Sequence, residues 1–330
     1  MHSMLAGRAA TQGGPATEPA STPAHHTTTS NGVHRLAVDL FNYEAGGLSS
    51  DGRYDFDRLV EAFHPGRVPH VILLNEAKYW HRRGCTPLYQ ATNALSAALG
   101  RPYAALLGTS AMASAILYDP TVLTPESWNE IEFADKRQLG RFVMRGSGTR
   151  FAIIVDQWSP VDGDARLARA RQLAPYGDSQ LPVLLAGDLN CTADGQLLPQ
   201  RDWTAVPEHR RAYKGRQDVD GTWGPDTRAL GLLIGGWDER TDRRETGRVW
   251  HALPDLAYAG GAPAELAYRA TTNEQINTGG ELVNDWMLIN DVWLRAGGLA
   301  GGSYQVHIPP GRTPAECPSD HRRISADLLL

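Results

Sequence analysis

Leu181-Pro182-Val183-Leu184-Leu185-Ala186-Gly187-Asp188-Leu189-Asn190 is an apolar run that ends in glycine and then presents a carboxylate and a carboxamide. A run this short and this apolar reads as a strand from Leu181 to Ala186, in a sheet covered on both faces. Residues at i and i+2 of an extended chain point the same way. Asp188 and Asn190 are therefore aimed at one point just past the strand. An acid and an amide placed there can orient a water or hold an anionic oxygen, although the same two residue types are common in turns.

Outward from this stretch the chain alternates between strand and helix signals. Leu36, Val38 and Leu40 alternate toward Asn42, as in a strand. Phe56, Leu59, Val60 and Phe63 follow at i, i+3, i+4, i+7, an amphipathic helix with Pro65-Gly66 just beyond it. Val71-Ile72-Leu73-Leu74 is a short apolar strand with Glu76 two residues past its end. A second helix takes Thr86 as its cap, Pro87 in its first turn and Gly100 after Leu99. Ala115–Tyr118 and Phe151–Val155 read as strands and Asp164–Leu173 as a helix. The stretch from about 200 to 280 is weakly periodic and reads as loops with short helices. Strand signals return at Asp285–Ile289 and Ile324–Leu328. Helices between strands too apolar to face water imply a layered α/β fold with helices covering the sheets.

Composition bounds the rest. Residues 1–33 are rich in Ala, Ser, Thr, Pro and Gly and read as a disordered tail without the apolar core of a secretory signal. Residues 34–330 form the folded domain. No run approaches the roughly 18 apolar residues of a membrane span, and the chain is expected to be a cytoplasmic monomer. Its net charge of -5 exerts no global pull on nucleic acid or anionic lipid. Arg82-Arg83, His209-Arg210-Arg211 and Arg322-Arg323 are local basic clusters, read as solvated surface. The three cysteines, Cys85, Cys191 and Cys317, have neither the number nor the spacing of a disulfide framework or zinc site. Cys191, next to Asn190, reads as a small buried hydrophobe, and the tryptophans beside the motifs (Trp80, Trp158, Trp286) as packing residues.

Polar residues recur at strand ends: Asn42, Glu76, Gln157, Asp188, Asn190, Asp285 and the late Asp320-His321. Oxygen ligands suit a hard cation such as Mg²⁺. A histidine beside an acid suits proton transfer or contact with a developing oxyanion. Phosphate ester hydrolysis can use both.

In order along the chain, Asn42, Leu74-Asn75-Glu76, Gly187-Asp188-Leu189-Asn190, Asn284-Asp285-Trp286-Met287-Leu288 and Ser319-Asp320-His321 resemble the motifs of the endonuclease/exonuclease/phosphatase superfamily. Each motif is common alone; the five in order carry the resemblance. It implies a DNase I-like four-layer α/β/β/α sandwich and a Mg²⁺-dependent phosphoesterase, with Mn²⁺ as the alternative metal. By the same resemblance, Glu76 is the main metal ligand, with Asn42 and Asp320 beside the metal. Asp188 orients the attacking water, Asn190 holds that acid or the phosphate, and Asp285 orients His321 at the transition state. Lys78, in a Glu-Ala-Lys similar to the Glu-Thr-Lys of abasic-site nucleases, is a phosphate contact if the chain stays extended. One departure stands out: Val155-Asp156-Gln157-Trp158 places Gln157 where many members carry histidine. Glutamine can donate to a phosphate oxygen but cannot act as a general acid.

The substrate is a phosphate ester, and two classes remain open: nucleic acid, and a small molecule or lipid headgroup. A catalytically altered member that binds without cleaving, or does non-hydrolytic chemistry, is the competing class.

Overall fold

The computed structural model describes residues 32–63, 66–130, 137–245, 247–273, 278–308 and 316–330. The expected tail therefore lies outside the described residues except for its last two positions, and Pro65 also lies outside them. In chain order the strands are β1 (Arg35–Asn42), β2 (Val71–Lys78), β3 (Ala104–Leu107), β4 (Met112–Tyr118), β5 (Leu123–Glu130), β6 (Gln138–Met144), β7 (Arg150–Gln157), β8 (Val183–Asp188), β9 (Gly215–Gln217), β10 (Trp223–Pro225), β11 (Trp237–Asp238), β12 (Arg243–Arg244), β13 (Trp250–Ala252), β14 (Asp285–Asn290), β15 (Gly298–Leu299), β16 (Gln305–Val306) and β17 (Ile324–Leu329). The helices are α1 (Phe56–Ala62), α2 (Arg82–Leu99), α3 (Gly163–Gly177), α4 (Glu208–Lys214), α5 (Arg228–Ile234), α6 (Leu253–Ala259), α7 (Ala264–Ala267) and α8 (Asp291–Ala296).

Two sheets carry the fold. The first runs β15-β17-β1-β2-β4-β3, with β16 also on β17; the second runs β13-β14-β8-β7-β6-β5. Each contains one parallel pair, β1 with β2 and β7 with β8. Parallel neighbours need a crossover, and α1 and α3 supply it. Both helices begin at a capping aspartate: Asp55 accepts from the Arg58 N–H, and Asp162 from those of Asp164 and Ala165. The helix expected after Thr86 is present and ends at a left-handed Gly100. Its register before Thr86 is broken by Arg83, Gly84 and Cys85, all at positive φ.

Alternation along the strands divides the core into three slabs. Leu73, Ile153, Val155, Leu184 and Met287 face the slab between the sheets. Ile72 and Leu74 turn outward onto Leu59, Leu88 and Leu95 of α1 and α2. Ile154, Val183 and Leu185 turn the other way onto Leu173, Leu230 and Leu233 of α3 and α5. Three buried slabs separate four layers, helices on sheet on sheet on helices, which is why the strands read as continuous apolar runs. No helix among the described residues is long and apolar enough to cross a membrane.

Two expectations change. Arg322 and Arg323 are not solvated: they are 9% and 4% exposed, paired to Glu281 and to the buried Asp39. Adjacent residues entering a strand point to opposite sides, and here each side offers an acid. The strand read as Leu181–Ala186 runs instead from Val183 to Asp188, because its pairing continues to Gln157 on one side and Asp285 on the other.

Candidate active site

Register places the functional side chains. Asn42, the last residue of β1, pairs with Asn75 of β2. Gln157, Asp188 and Asp285 lie side by side across β7, β8 and β14. His321 sits three residues before β17, whose first residue pairs with Leu40. One edge of the sandwich thus collects residues from both sheets.

The geometry there is specific. Asp188 is buried; its Oδ1 accepts the Asn190 backbone N–H at 3.1 Å, and its Oδ2 accepts the amides of Asn190 at 2.7 Å and Asn42 at 3.2 Å. Asp188 and Asn190 do meet, but not through an extended chain. Asn190 takes φ 52°, a left-handed turn that folds its amide back. Glu76 is likewise at φ 61°. Positive φ at residues other than glycine is uncommon and clusters at functional sites. Gly187 is required where it stands, since a Cβ there would lie 1.8 Å from the Asp156 carbonyl oxygen.

His321 is 8% exposed, with Nδ1 2.7 Å from Asp285 Oδ2. Burial pulls its pKa down, but Asp285, Asp188 and Asp320 outweigh this and lift it to about 10. The protonated ring then donates from Nδ1 to Asp285 and keeps an Nε2–H for the cavity. Burial also raises the Asp188 carboxyl above the usual range, with Asp285 adding and His321 and Lys214 opposing.

Glu76 is held from three sides. Its Oε1 accepts Gln157 Nε2 at 2.7 Å and Asn42 Nδ2 at 3.4 Å, and its Oε2 accepts the Ala45 N–H at 2.9 Å. Gln157 thus braces Glu76. Asn42 Oδ1, beside this carboxylate, is buried without a hydrogen-bond partner. Negative charge gathers around Glu76: burial raises the carboxyls of both Asp320 and Glu44 and the Glu76 charge raises them further, with His321 opposing in both and Arg58 in Glu44. A hard all-oxygen donor set with an orphan amide oxygen fits a divalent cation. Asp188, Asp285 and His321 form a second group, with ligand-type atoms all within 4.8 Å. Since these acids favour the protonated His321, and an imidazolium has no lone pair for a metal, this group reads better as a proton-handling cluster than as a metal cage.

Asn75 lies beneath the site with no exposure. Its Oδ1 accepts the Asp188 N–H at 2.9 Å, and its amide donates to Ser114 Oγ at 2.9 Å and the Asp156 carbonyl at 3.0 Å. It ties the two sheets together at the floor of the cavity.

The cavity has a volume of about 490 Å³ and is lined by Glu76, Gln157, Asp188, Asn190 and His321. Asn42, Asp285 and Asp320 are not among the lining residues. Lys78 is not among the lining residues; its ammonium lies 6.0 Å over the Tyr79 ring. The extended geometry assumed for Glu76-Ala77-Lys78 is broken by the left-handed Glu76 and a register shift between Leu74 and Ala77.

The lining also holds residues the motifs did not contain. Lys214 donates to the Asn190 backbone oxygen at 3.1 Å and to Asn190 Oδ1, and burial lowers its pKa to about 8 against the pull of Asp188. Arg210, Tyr213 and Arg201 line the same cavity. The His209-Arg210-Arg211 cluster was the sequence signal for Arg210 alone. Glu44 carried none. Cys191 is buried as expected, its thiol pushed up to about 12 by burial, so it is inert. Trp80, Trp158 and Trp286 are buried packing residues.

A cavity at the strand ends of an α/β/β/α sandwich, with an acid-amide pair, a histidine-acid pair and a separate carboxylate, defines a phosphoesterase-type site. The chain belongs to the Endonuclease/Exonuclease/phosphatase family, whose sequence model matches residues 46–321. Among similar solved structures, D. rerio TDP2 complexed with single strand DNA product is 13% identical, with 89% of this chain and 98% of that one covered and a TM-score of 0.55. Truncated Caenorhabditis elegans TDP2 is 13% identical, over 90% and 98%, with a TM-score of 0.52. An endonuclease/exonuclease/phosphatase family protein from Bacteroides thetaiotaomicron is 15% identical, over 90% and 96%, with a TM-score of 0.50. At these identities the likeness is one of fold. No curated protein matches the sequence.

Proposed function

We propose that the protein is a Mg²⁺-dependent phosphoesterase that cleaves a phosphodiester by in-line attack of a water oriented by Asp188. The observation that carries this reading is the buried His321–Asp285 pair, 2.7 Å apart, closing on Asp188 beside the cavity that Glu76 also lines. The residues come from stretches up to 245 positions apart in sequence (Glu76 to His321), and packing alone has no need to gather these residue types.

Asp188 accepts the water proton, and a carboxylate whose pKa is raised by burial is a better base than a free one. Asn190 and Asn42 fix that carboxylate by donating to Oδ2, while Lys214 braces Asn190 from behind. His321, held as an imidazolium by Asp285, donates from Nε2 to the oxygen on which charge develops. Gln157 and the Ala45 N–H fix Glu76. Glu76, with Asn42 and Asp320, would hold the cation, which when bound neutralises phosphoryl charge; Mn²⁺ offers the same chemistry.

A panel of plasmid DNA, abasic DNA, RNA, bis(4-nitrophenyl) phosphate, sphingomyelin and inositol phosphates, each with an EDTA control, tests the reading. Turnover should vanish with EDTA and return with Mg²⁺. Asp188→Ala, Glu76→Ala and His321→Ala should each lose at least about 10²-fold. No hydrolysis of any ester by the wild type would favour the binding-protein alternative, and near-normal rates in all three variants would sink the mechanism.

A further inference from the structure

The part of the cavity lining that α4 supplies has a feature that the phosphoesterase reading leaves unused. Among the described helices α4 alone buries no residue. A surface helix ordinarily earns its place by burying an apolar stripe, and α4 has none. What it presents instead is one face to the cavity: Pro207, at its N-cap, then Arg210, Tyr213 and Lys214 all line it. Arg210 and Lys214 stand four apart, so their Cβ atoms are neighbours at roughly 5–6 Å.

Their side chains lack direct ion pairs among the described residues, though Lys214 feels the charge of the nearby Asp188. Neither Arg210 nor Lys214 makes an ion pair with an acid among the described residues, and neither does Arg201, the third cation of the lining. Lys214 is committed to Asn190. Arg210 remains exposed with its fork free for an anion.

We propose that the α4 face is a second anion subsite, and that the substrate is a compact molecule carrying a further phosphate within a few bonds of the one attacked. The scissile phosphate would sit against Asp188, Asn190 and His321, and the second against Arg210, with Arg201 and Lys214 adding positive potential. The size favours a small molecule over a polymer: about 490 Å³ lies within the usual range of small-ligand pockets. The inference rests on the phosphoesterase reading for the position of the first phosphate. Its own test is binding, which does not require turnover.

Isothermal titration of the full chain, in Mg²⁺, with propane-1,3-diol bisphosphate and with propyl phosphate separates the two. The wild type should bind the bisphosphate about tenfold more tightly, the scale of one charge-assisted contact at a partly exposed site. Arg210→Ala should erase that preference by weakening the bisphosphate about tenfold more than propyl phosphate, and Arg210→Lys should restore part of it. Equal affinity for the two compounds in the wild type, or a preference that survives Arg210→Ala, would overturn the subsite. So would tight, steeply salt-dependent binding of a single-stranded oligonucleotide in place of the bisphosphate preference. If the preference holds and no ester is cleaved, the subsite stands and the hydrolytic reading falls.

Discussion

Replacing Asp285 with asparagine tests the His321–Asp285 pair most directly, because it removes one charge and almost no volume. The lift of His321 from 6.5 to about 10 corresponds to about 5 kcal/mol of preference for the imidazolium. Asp285 is the foremost of the groups raising it, through both charge and the 2.7 Å hydrogen bond. A neutral amide should bring the His321 pKa down by about 2, to roughly 8, with Asp188 and Asp320 still supporting it. The assay is kcat/KM against pH from 6 to 10.5 for bis(4-nitrophenyl) phosphate at saturating Mg²⁺. The wild-type alkaline limb should fall near pH 10 and that of Asp285→Asn near pH 8. The plateau should drop by about 10²–10³, as when an orienting acid is lost from a histidine pair. Stability offers an independent readout. A folded-state pKa raised above the unfolded one contributes stability that is full below pH 6.5 and is lost as the pH climbs toward 10. The variant should lose most of that slope. An alkaline limb that stays at its wild-type pH while the rate falls would refute the reasoning, since Asp285 would then act through packing alone.

Gly187→Ala should destabilise by at least about 3 kcal/mol, because the new Cβ meets the Asp156 carbonyl oxygen at 1.8 Å and φ is 152°; a thermal midpoint near that of the wild type would count against the strand packing described. Asn75→Leu leaves the Asp188 N–H without its acceptor and should cost about 2–4 kcal/mol in urea unfolding together with a fall in kcat, so a stable, fully active variant would show that the bridge is dispensable. His70 accepts the Ala37 N–H at Nδ1, and burial, with Arg101 nearby, lowers its pKa to about 4. A depressed folded pKa means stability that is present above pH 6.5 and lost as the pH falls toward 4. Between pH 7 and 4.5 the wild type should therefore lose up to about 3 kcal/mol more than His70→Asn, and parallel losses in the two proteins would refute the assignment.

The sandwich was legible where strands are buried on both faces and end in chemistry. Val71–Leu74, Phe151–Val155 and Leu181–Ala186 all announced themselves as strands, and the spacing of Phe56, Leu59, Val60 and Phe63 announced α1. The hairpin of β5 and β6 did not. β5 is an edge strand, Leu123-Thr124-Pro125-Glu126-Ser127-Trp128-Asn129-Glu130, with proline beside a bulge and little alternation to read. In the site, residues inside motifs could be placed, and their local geometry could not. Asn190 and Glu76 both leave the extended region, which kept the acid-amide pair together and took Lys78 away from the cavity. Lys214 lies 24 positions past Asn190 in a stretch without periodicity. Its role arises from where α4 docks, a tertiary fact that no short pattern encodes.

The two-sheet origin of the site has a mechanical consequence. Asn42, Glu76 and His321 ride on one sheet and Gln157, Asp188 and Asp285 on the other, so the His321–Asp285 hydrogen bond spans the seam. The slab of Leu73, Ile153, Leu184 and Met287 therefore acts as a gauge block that sets the spacing of the reacting groups. Close-packed interiors transmit strain, and a misplacement of 1 Å can cost about 10²-fold in rate. Thinning or thickening that slab is a change of alignment as well as of stability, made at a distance from any group that touches substrate.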